Sequence, residues 1–201
     1  MTYTAYDGKT TRLSIASSID LVSWNKYGRV LSQEKYKDYW SKAGAIITEQ
    51  IGNQQVVKKI DDKYWMYFGD TYLYMASSTN LIDWEPEENI ENGALISVLH
   101  PRKGFFDSRL VESGAYAQYT ENGISLMYNA SNAANYSDPN LSKFTYAAGQ
   151  ALFDKDKPYK LKDRTDSYFI YPDKAYEKIG EVNEVCFVEG LVFFKEKWFL
   201  Y

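Results

Sequence analysis

One phrase occurs twice, and it limits what this chain can fold into more than any other feature. Residues 12–24 read R-L-S-I-A-S-S-I-D-L-V-S-W and residues 72–84 read Y-L-Y-M-A-S-S-T-N-L-I-D-W. At this offset of 60, Leu13/Leu73, Ala16/Ala76, Ser17/Ser77, Ser18/Ser78, Leu21/Leu81 and Trp24/Trp84 are identical. A third, weaker copy runs from Phe144 to Phe153. Self-similarity at a fixed period is the mark of an architecture built by stacking one supersecondary unit.

A second element recurs beside the first. Lys63–Gly69, Gly123–Asn129 and Lys197–Tyr201 each read as a short aromatic strand, and each is entered through a turn at Asp61-Asp62, Glu121-Asn122 or Lys195-Glu196. Met1–Tyr6 fits the same slot, closed by the turn Asp7-Gly8. The unit is a Y-x-M-Y strand, a turn, an L-x-x-A-S-S strand, and then D-L-x-x-W. Long helical periodicity is nearly absent; Gln33–Trp40 allows one or two turns. The expected fold is all-β, a β-propeller with roughly three blades' worth of repeat, in which each terminal Trp packs between blades. A β-sandwich is the alternative, but it gives no reason for the repeated phrase.

Composition removes several functions. The chain is 45% hydrophobic and 25% charged, which suits a folded domain. Its 19 Tyr, 10 Phe and 5 Trp suit half-buried strands and sugar-facing surfaces. A net charge of −4 provides no basic stripe for nucleic acid. One Cys and one His cannot build a Cys/His zinc site, and Cys186 has no intrachain disulfide partner. His100, in a turn-like run, reads as a loop residue rather than part of a triad. No apolar run approaches the roughly 20 residues of a membrane span. The phosphate-binding, dinucleotide, nucleophile-elbow and H-E-x-x-H motifs are all missing, and no cofactor or metal is expected.

Candidate chemistry then falls on carboxylates at strand ends. Asp70 closes Tyr64–Gly69, and Glu112 lies between Leu110-Val111 and Ser113-Gly114. A carboxylate pair among aromatic residues describes a glycosidase: one acid protonates the leaving oxygen and another activates water. The structural alternative for Glu112 is a turn residue or a partner for Arg102 or Arg109.

The runs Y-T-A-Y-D-G, R-L-S-I-A-S-S-x-D-L-x-x-W, K-Y-W-M-Y-F-G-D, R-K-G-F-F-D-S-x-L-V-E-S-G, Y-A-A-G-Q-A-L-F-D-x-x-x-P and E-G-L-V-F-F-K-E-K-W-F-L-Y occur in this order. Together they resemble glycoside hydrolase family 130, over essentially all 201 residues. The resemblance implies a five-bladed propeller acting on β-mannosides by inversion, with phosphorylase and hydrolase branches. Where the phosphorylases carry phosphate-binding basic residues, this sequence has Leu110, Asn129 and Asp70. That pattern resembles the hydrolase branch, associated with β-1,2-linked mannosides. Glu112 and Asp70 are then the expected catalytic acids, and Tyr6, Asp107, Tyr128, Asn129 and Lys42 the expected substrate contacts. Lys42 remains basic and keeps the phosphorylase alternative open.

Two departures bear on domain organisation. The family's proton-donating Asp stands in a D-P-R phrase ahead of the segment matching Met1–Tyr6, and its Y-G-x-x-D phrase follows the segment matching Trp198–Tyr201. Neither phrase occurs here. The expectation is a partial propeller over 1–201, truncated at both ends, with an inactive fragment as a third alternative. The expected partner is a mannooligosaccharide, with neither nucleic acid nor membrane. Met1–Asp7 do not resemble a signal peptide, and because an upstream start is expected, localisation stays open between cytoplasm and periplasm.

Overall fold

Turns of two residues set the strand pairing. Asp61 and Asp62 both adopt positive φ (52° and 60°), as do Lys195 and Glu196 (48° and 60°), the twist that matches two antiparallel strands. In the computed structural model, which describes residues 1–201, the first turn joins Lys59–Ile60 to Lys63–Phe68 and the second joins Leu191–Phe194 to Lys197–Leu200, within successive antiparallel groups of strands, the blades of a β-propeller. The first blade comprises Thr2–Tyr6, Thr11–Ser17 and Asn25–Arg29. A second is built on Gly44–Ile51, Lys63–Phe68 and Leu73–Ser78, with Ser97–Leu99 outermost. The third runs Leu110–Ser113, Gly123–Ser131, Tyr146–Phe153 and Leu161–Arg164. A hairpin of Leu191–Phe194 and Lys197–Leu200 begins a fourth.

The second and third blades are also stitched through their backbones. The far half of Gly44–Ile51 leaves its own blade and pairs in parallel with Ala117–Thr120, placing Ala117 opposite Ile47 and Gln118 opposite Thr48. Helix is confined to a 3-10 turn at Glu34–Tyr36 and one α turn at Ala175–Lys178. No helix is long and apolar enough to cross a membrane.

Two cores fill the spaces between blades. Side chains of a strand alternate between faces, so Met66 and Phe68 point one way and Trp65 and Tyr67 the other. Met66, Phe68, Ala76 and Trp84 meet Leu13, Ile15, Val30, Leu31 and Tyr36 of the first blade. Trp65, Tyr67, Leu73 and Met75 meet Val111, Leu126, Tyr128, Ala147 and Phe153 of the third. A blade covered on both faces explains why Tyr64–Phe68 is continuously apolar rather than alternating.

The repeated A-S-S-x-x-L-x-x-W phrase has a hydrogen-bond cause. Ser18 Oγ accepts the amides of Asp20 and Leu21, and Asp20 Oδ1 accepts those of Val22 and Ser23. Ser78 Oγ and Asn80 Oδ1 make the same four contacts to Asn80, Leu81, Ile82 and Asp83. Leu21 and Leu81 take matching positive φ values of 61° and 66°. In the third blade Asp154 Oδ1 accepts the amides of Asp156 and Lys157, and buried Pro158 stands four residues on, the spacing of Trp24 from Asp20.

The two tryptophans differ. Trp84 is fully buried between the first and second blades, as its place in the repeat requires. Trp24 is only half-buried, and Ile19, Leu21 and Val22 beside it are exposed, because no blade of this chain packs on that face.

Candidate active site

The inner ends of three blades converge on a small group of charged side chains. Lys42 precedes the first strand of the second blade, Glu112 lies within that of the third, and Glu189 leads into that of the fourth. Asp70 enters from the turn after Phe68. Gly69 there has φ 132°, and a Cβ on it would stand 2.3 Å from the carbonyl oxygen of Tyr72, so only glycine fits. The Gly69 amide donates to the carbonyl of Lys42 (3.1 Å), and the Val111 amide donates to the carbonyl of Thr71 (3.2 Å). Those two bonds hold the Asp70 backbone between the segments that carry Lys42 and Glu112.

Lys42 Nζ lies 2.9 Å from Asp70 Oδ2 and 4.0 Å from Glu112 Oε2. Trp40 Nε1 also donates to Asp70 Oδ2, at 3.1 Å. Glu112 is 5% exposed. Burial pushes its carboxyl up to about 7; Lys42 opposes that rise, while the charges of Asp70 and Glu189 add to it. Burial works against the Lys42 ammonium as well, but Asp70 and Glu112 outweigh it and hold Lys42 above the ordinary lysine value. Glu112 accepts no hydrogen bond from the protein. A buried carboxyl with free oxygens and a value near neutrality has the protonation range of a general base.

Asn129 stands opposite Glu112 in the sheet. Its Oδ1 accepts the Val188 amide (2.8 Å), and its Nδ2 donates to the Val188 carbonyl (3.2 Å) and Glu189 Oε1 (3.4 Å). Gly114 allows that approach, since a Cβ on it would come within 2.6 Å of the Val188 carbonyl oxygen. A cleft of about 400 Å³ adjoins the group, lined by Thr2, Ala43, Gly44, Gly114, Tyr116 and Glu189.

The other expected site residues lie elsewhere. Tyr128 neighbours Asn129 on the strand and so faces the opposite side, where its hydroxyl donates to Asp107 Oδ2 at 2.9 Å. Asp107 is fully buried and ion-paired to Arg102 (3.0 Å) and Arg164 (3.4 Å). Tyr6, 64% exposed, ends the first strand of the first blade, outside the charged group. Neither Arg102 nor Arg109 pairs with Glu112: Arg102 is committed to Asp107, and Arg109 lies over the Phe144 ring. Glu189 and Trp40 were not singled out from sequence. The signal for Glu189 was present in Val188-Glu189-Gly190, which echoes Val111-Glu112-Ser113-Gly114.

The family model described as beta-1,4-mannooligosaccharide phosphorylase, that of glycoside hydrolase family 130, matches residues 1–201. The chain belongs to glycoside hydrolase family 130. Among solved structures, a glycosyl hydrolase from Bacteroides ovatus is 40% identical, with a TM-score of 0.96, and the chain covers 57% of it. Another was solved in work reporting that the family of mannoside phosphorylases contains glycoside hydrolases targeting β-1,2 mannosidic linkages in Candida mannan. It is 41% identical, with a TM-score of 0.97 and 57% of its length covered. Both likenesses extend over 100% of the present chain. A curated relative, the 1,2-β-oligomannan phosphorylase of Thermoanaerobacter sp., is 24% identical over 181 residues, which are 89% of this chain and 50% of that protein. The chain thus spans between half and three-fifths of these relatives. Family 130 acts on mannosides and includes both phosphorylases and hydrolases.

Proposed function

We propose that the protein carrying this chain hydrolyses β-linked mannosides, β-1,2-mannooligosaccharides foremost, with inversion at the anomeric carbon. The observation that carries this is Glu112: buried, without a protein hydrogen-bond donor, and set against Lys42 and Asp70. In this reading Glu112 takes the proton of the attacking water while Asp70 orients it. The glycosidic oxygen receives its proton from the Asp that the family resemblance places ahead of Met1. A single displacement of this kind needs about 6.5–9.5 Å between the two acids, to admit water. Asp107, Tyr128 and Asn129, all fully buried, act by holding strands in place, and exposed Tyr6 is the open sugar contact. The 201 residues then form an incomplete propeller within a longer protein.

The solved relative at 41% identity, from the work on β-1,2-mannosidic hydrolases, supports the hydrolase branch. Phosphorolysis is the second reading, favoured by Lys42 and by the curated phosphorylase relative. Against it, a phosphate dianion needs converging positive charge. Here it would meet Asp70, Glu112 and Glu189 around one ammonium already paired at 2.9 Å. The test is product analysis of the full-length protein on β-1,2-mannobiose with and without phosphate. Mannose released equally under both conditions is the expected result. Mannose 1-phosphate formed only when phosphate is present would overturn hydrolysis.

A further inference from the structure

We infer that Lys42 is a positioning residue for hydrolysis, holding Asp70 in place and supplying charge to Glu112 across a gap, rather than a ligand for an incoming anion. The inference rests on the hydrolase reading above and assigns Lys42 a role within it.

The geometry divides the ammonium's work. Its short contact, 2.9 Å, goes to Asp70, whose Oδ2 also receives the Trp40 indole N–H at 3.1 Å and whose Oδ1 receives the Thr71 hydroxyl at 3.4 Å. Asp70 is therefore held from three sides. The contact to Glu112, at 4.0 Å, is beyond hydrogen-bond range but well within reach of a Coulomb interaction. Because Glu112 accepts no hydrogen bond from the protein, its oxygens remain free for water. Lys42 thus favours the ionised base without occupying its lone pairs. A lysine hydrogen-bonded directly to Glu112 would compete with the water that the base must hold.

The charges around Glu112 come from every neighbouring element. Lys42 and Asp70 belong to the second blade and Glu189 to the start of the fourth, while Tyr146 of the third blade faces Lys42. Lys42 is the positive member of this set. Its removal leaves Glu112 between two like charges in a buried setting, where both burial and repulsion favour the proton.

The experiment compares wild type, Lys42→Met and Lys42→Arg in the full-length protein, with β-1,2-mannobiose as substrate. The expected result for Lys42→Met is an acid limb of kcat/KM displaced upward by about one pH unit or more, with a loss at pH 6 roughly tenfold greater than at pH 9. Lys42→Arg should return the limb to its wild-type position. Carboxyl ¹³C titration, with the Glu112 signal assigned by its disappearance in Glu112→Gln, should show the same upward movement without turnover. Should Lys42→Met fail to fold, Lys42→Gln gives the same comparison while keeping a donor to Asp70. An unmoved acid limb and unmoved Glu112 titration in the uncharged variants, with only KM raised, would overturn the inference and make Lys42 a ligand contact. Failure of the hydrolase reading shows separately, as mannose 1-phosphate from the wild-type protein.

Discussion

Asn129 and Val188 exchange two hydrogen bonds across neighbouring blades: the Val188 amide donates to Asn129 Oδ1 at 2.8 Å, and Asn129 Nδ2 donates to the Val188 carbonyl at 3.2 Å. A side chain here imitates a strand partner. It ties the third blade to the approach of the fourth and fixes Glu189, the next residue, beside the charged group. Asn129→Ala leaves a buried N–H and C=O without partners, at roughly 1–3 kcal/mol for each group. The expected loss of stability is about 2–4 kcal/mol in urea unfolding. A loss under about 1 kcal/mol would mean that water replaces the amide and that the clamp is dispensable.

The two repeat tryptophans provide a comparison within one molecule. Trp84 sits in a closed core with Leu13, Val30, Met66 and Phe68, and its indole N–H donates to the Leu81 carbonyl at 3.3 Å. Trp84→Ala is expected to cost about 3–5 kcal/mol, the usual range for deleting a large buried aromatic. Trp24→Ala should cost less than half as much, since Trp24 is half-buried and outside both cores. Thermal unfolding of the two variants side by side decides the matter. Equal losses would show that the first blade buries Trp24 against a surface outside these 201 residues.

Much of this fold was legible because its repeat has a local cause. The A-S-S-x-x-L-x-x-W phrase survives at an offset of 60 since Ser18/Ser78 and Asp20/Asn80 each cap two amides of the same turn. Asp70 and Glu112 were legible as strand-end acids flanked by glycine. Their union with Lys42 was not, because it depends on the Thr71–Val111 bond between blades, which leaves no trace in local pattern. Asp107 and Tyr128 showed the opposite problem. From sequence they looked like sugar contacts, and only the pairing of Asp107 with Arg102 and Arg164 reveals that the pair lies in the interior. Pro158 went unnoticed as the counterpart of Trp24 because the hydrogen-bonding turn was kept while the residue type changed.

Ser78 tests the turn directly. Its hydroxyl oxygen accepts two amides while being 5% exposed. Ser78→Ala strands both donors and should cost roughly 1–2 kcal/mol, in line with the loss of a helix-capping hydroxyl. Ser78→Thr keeps the acceptor and should recover most of that loss. Chemical denaturation of the pair is the measurement; a Thr variant as unstable as the Ala variant would count against a capping role.

The raised carboxyl of Glu112 also carries a prediction about stability. Its value in the folded protein is about 7, against an ordinary 4.5. The folded state therefore binds the proton more tightly than the unfolded chain. Below pH 4.5 both states are protonated at this residue and the contribution is neutral. As pH rises from 4.5 to 7 the unfolded chain ionises first, and folded stability falls; above 7 the deficit is constant. A displacement of this size corresponds to about 3 kcal/mol at order-of-magnitude level. With Glu112 almost wholly buried, little of that is lost to solvent screening. Replacing the residue as Glu112→Gln removes the titration, so the variant should be more stable than wild type at pH 8 and close to it at pH 4.5. Urea unfolding of both proteins across this range gives the difference curve. A flat difference would mean that Lys42, 4.0 Å away, already holds Glu112 ionised at ordinary carboxylate pH.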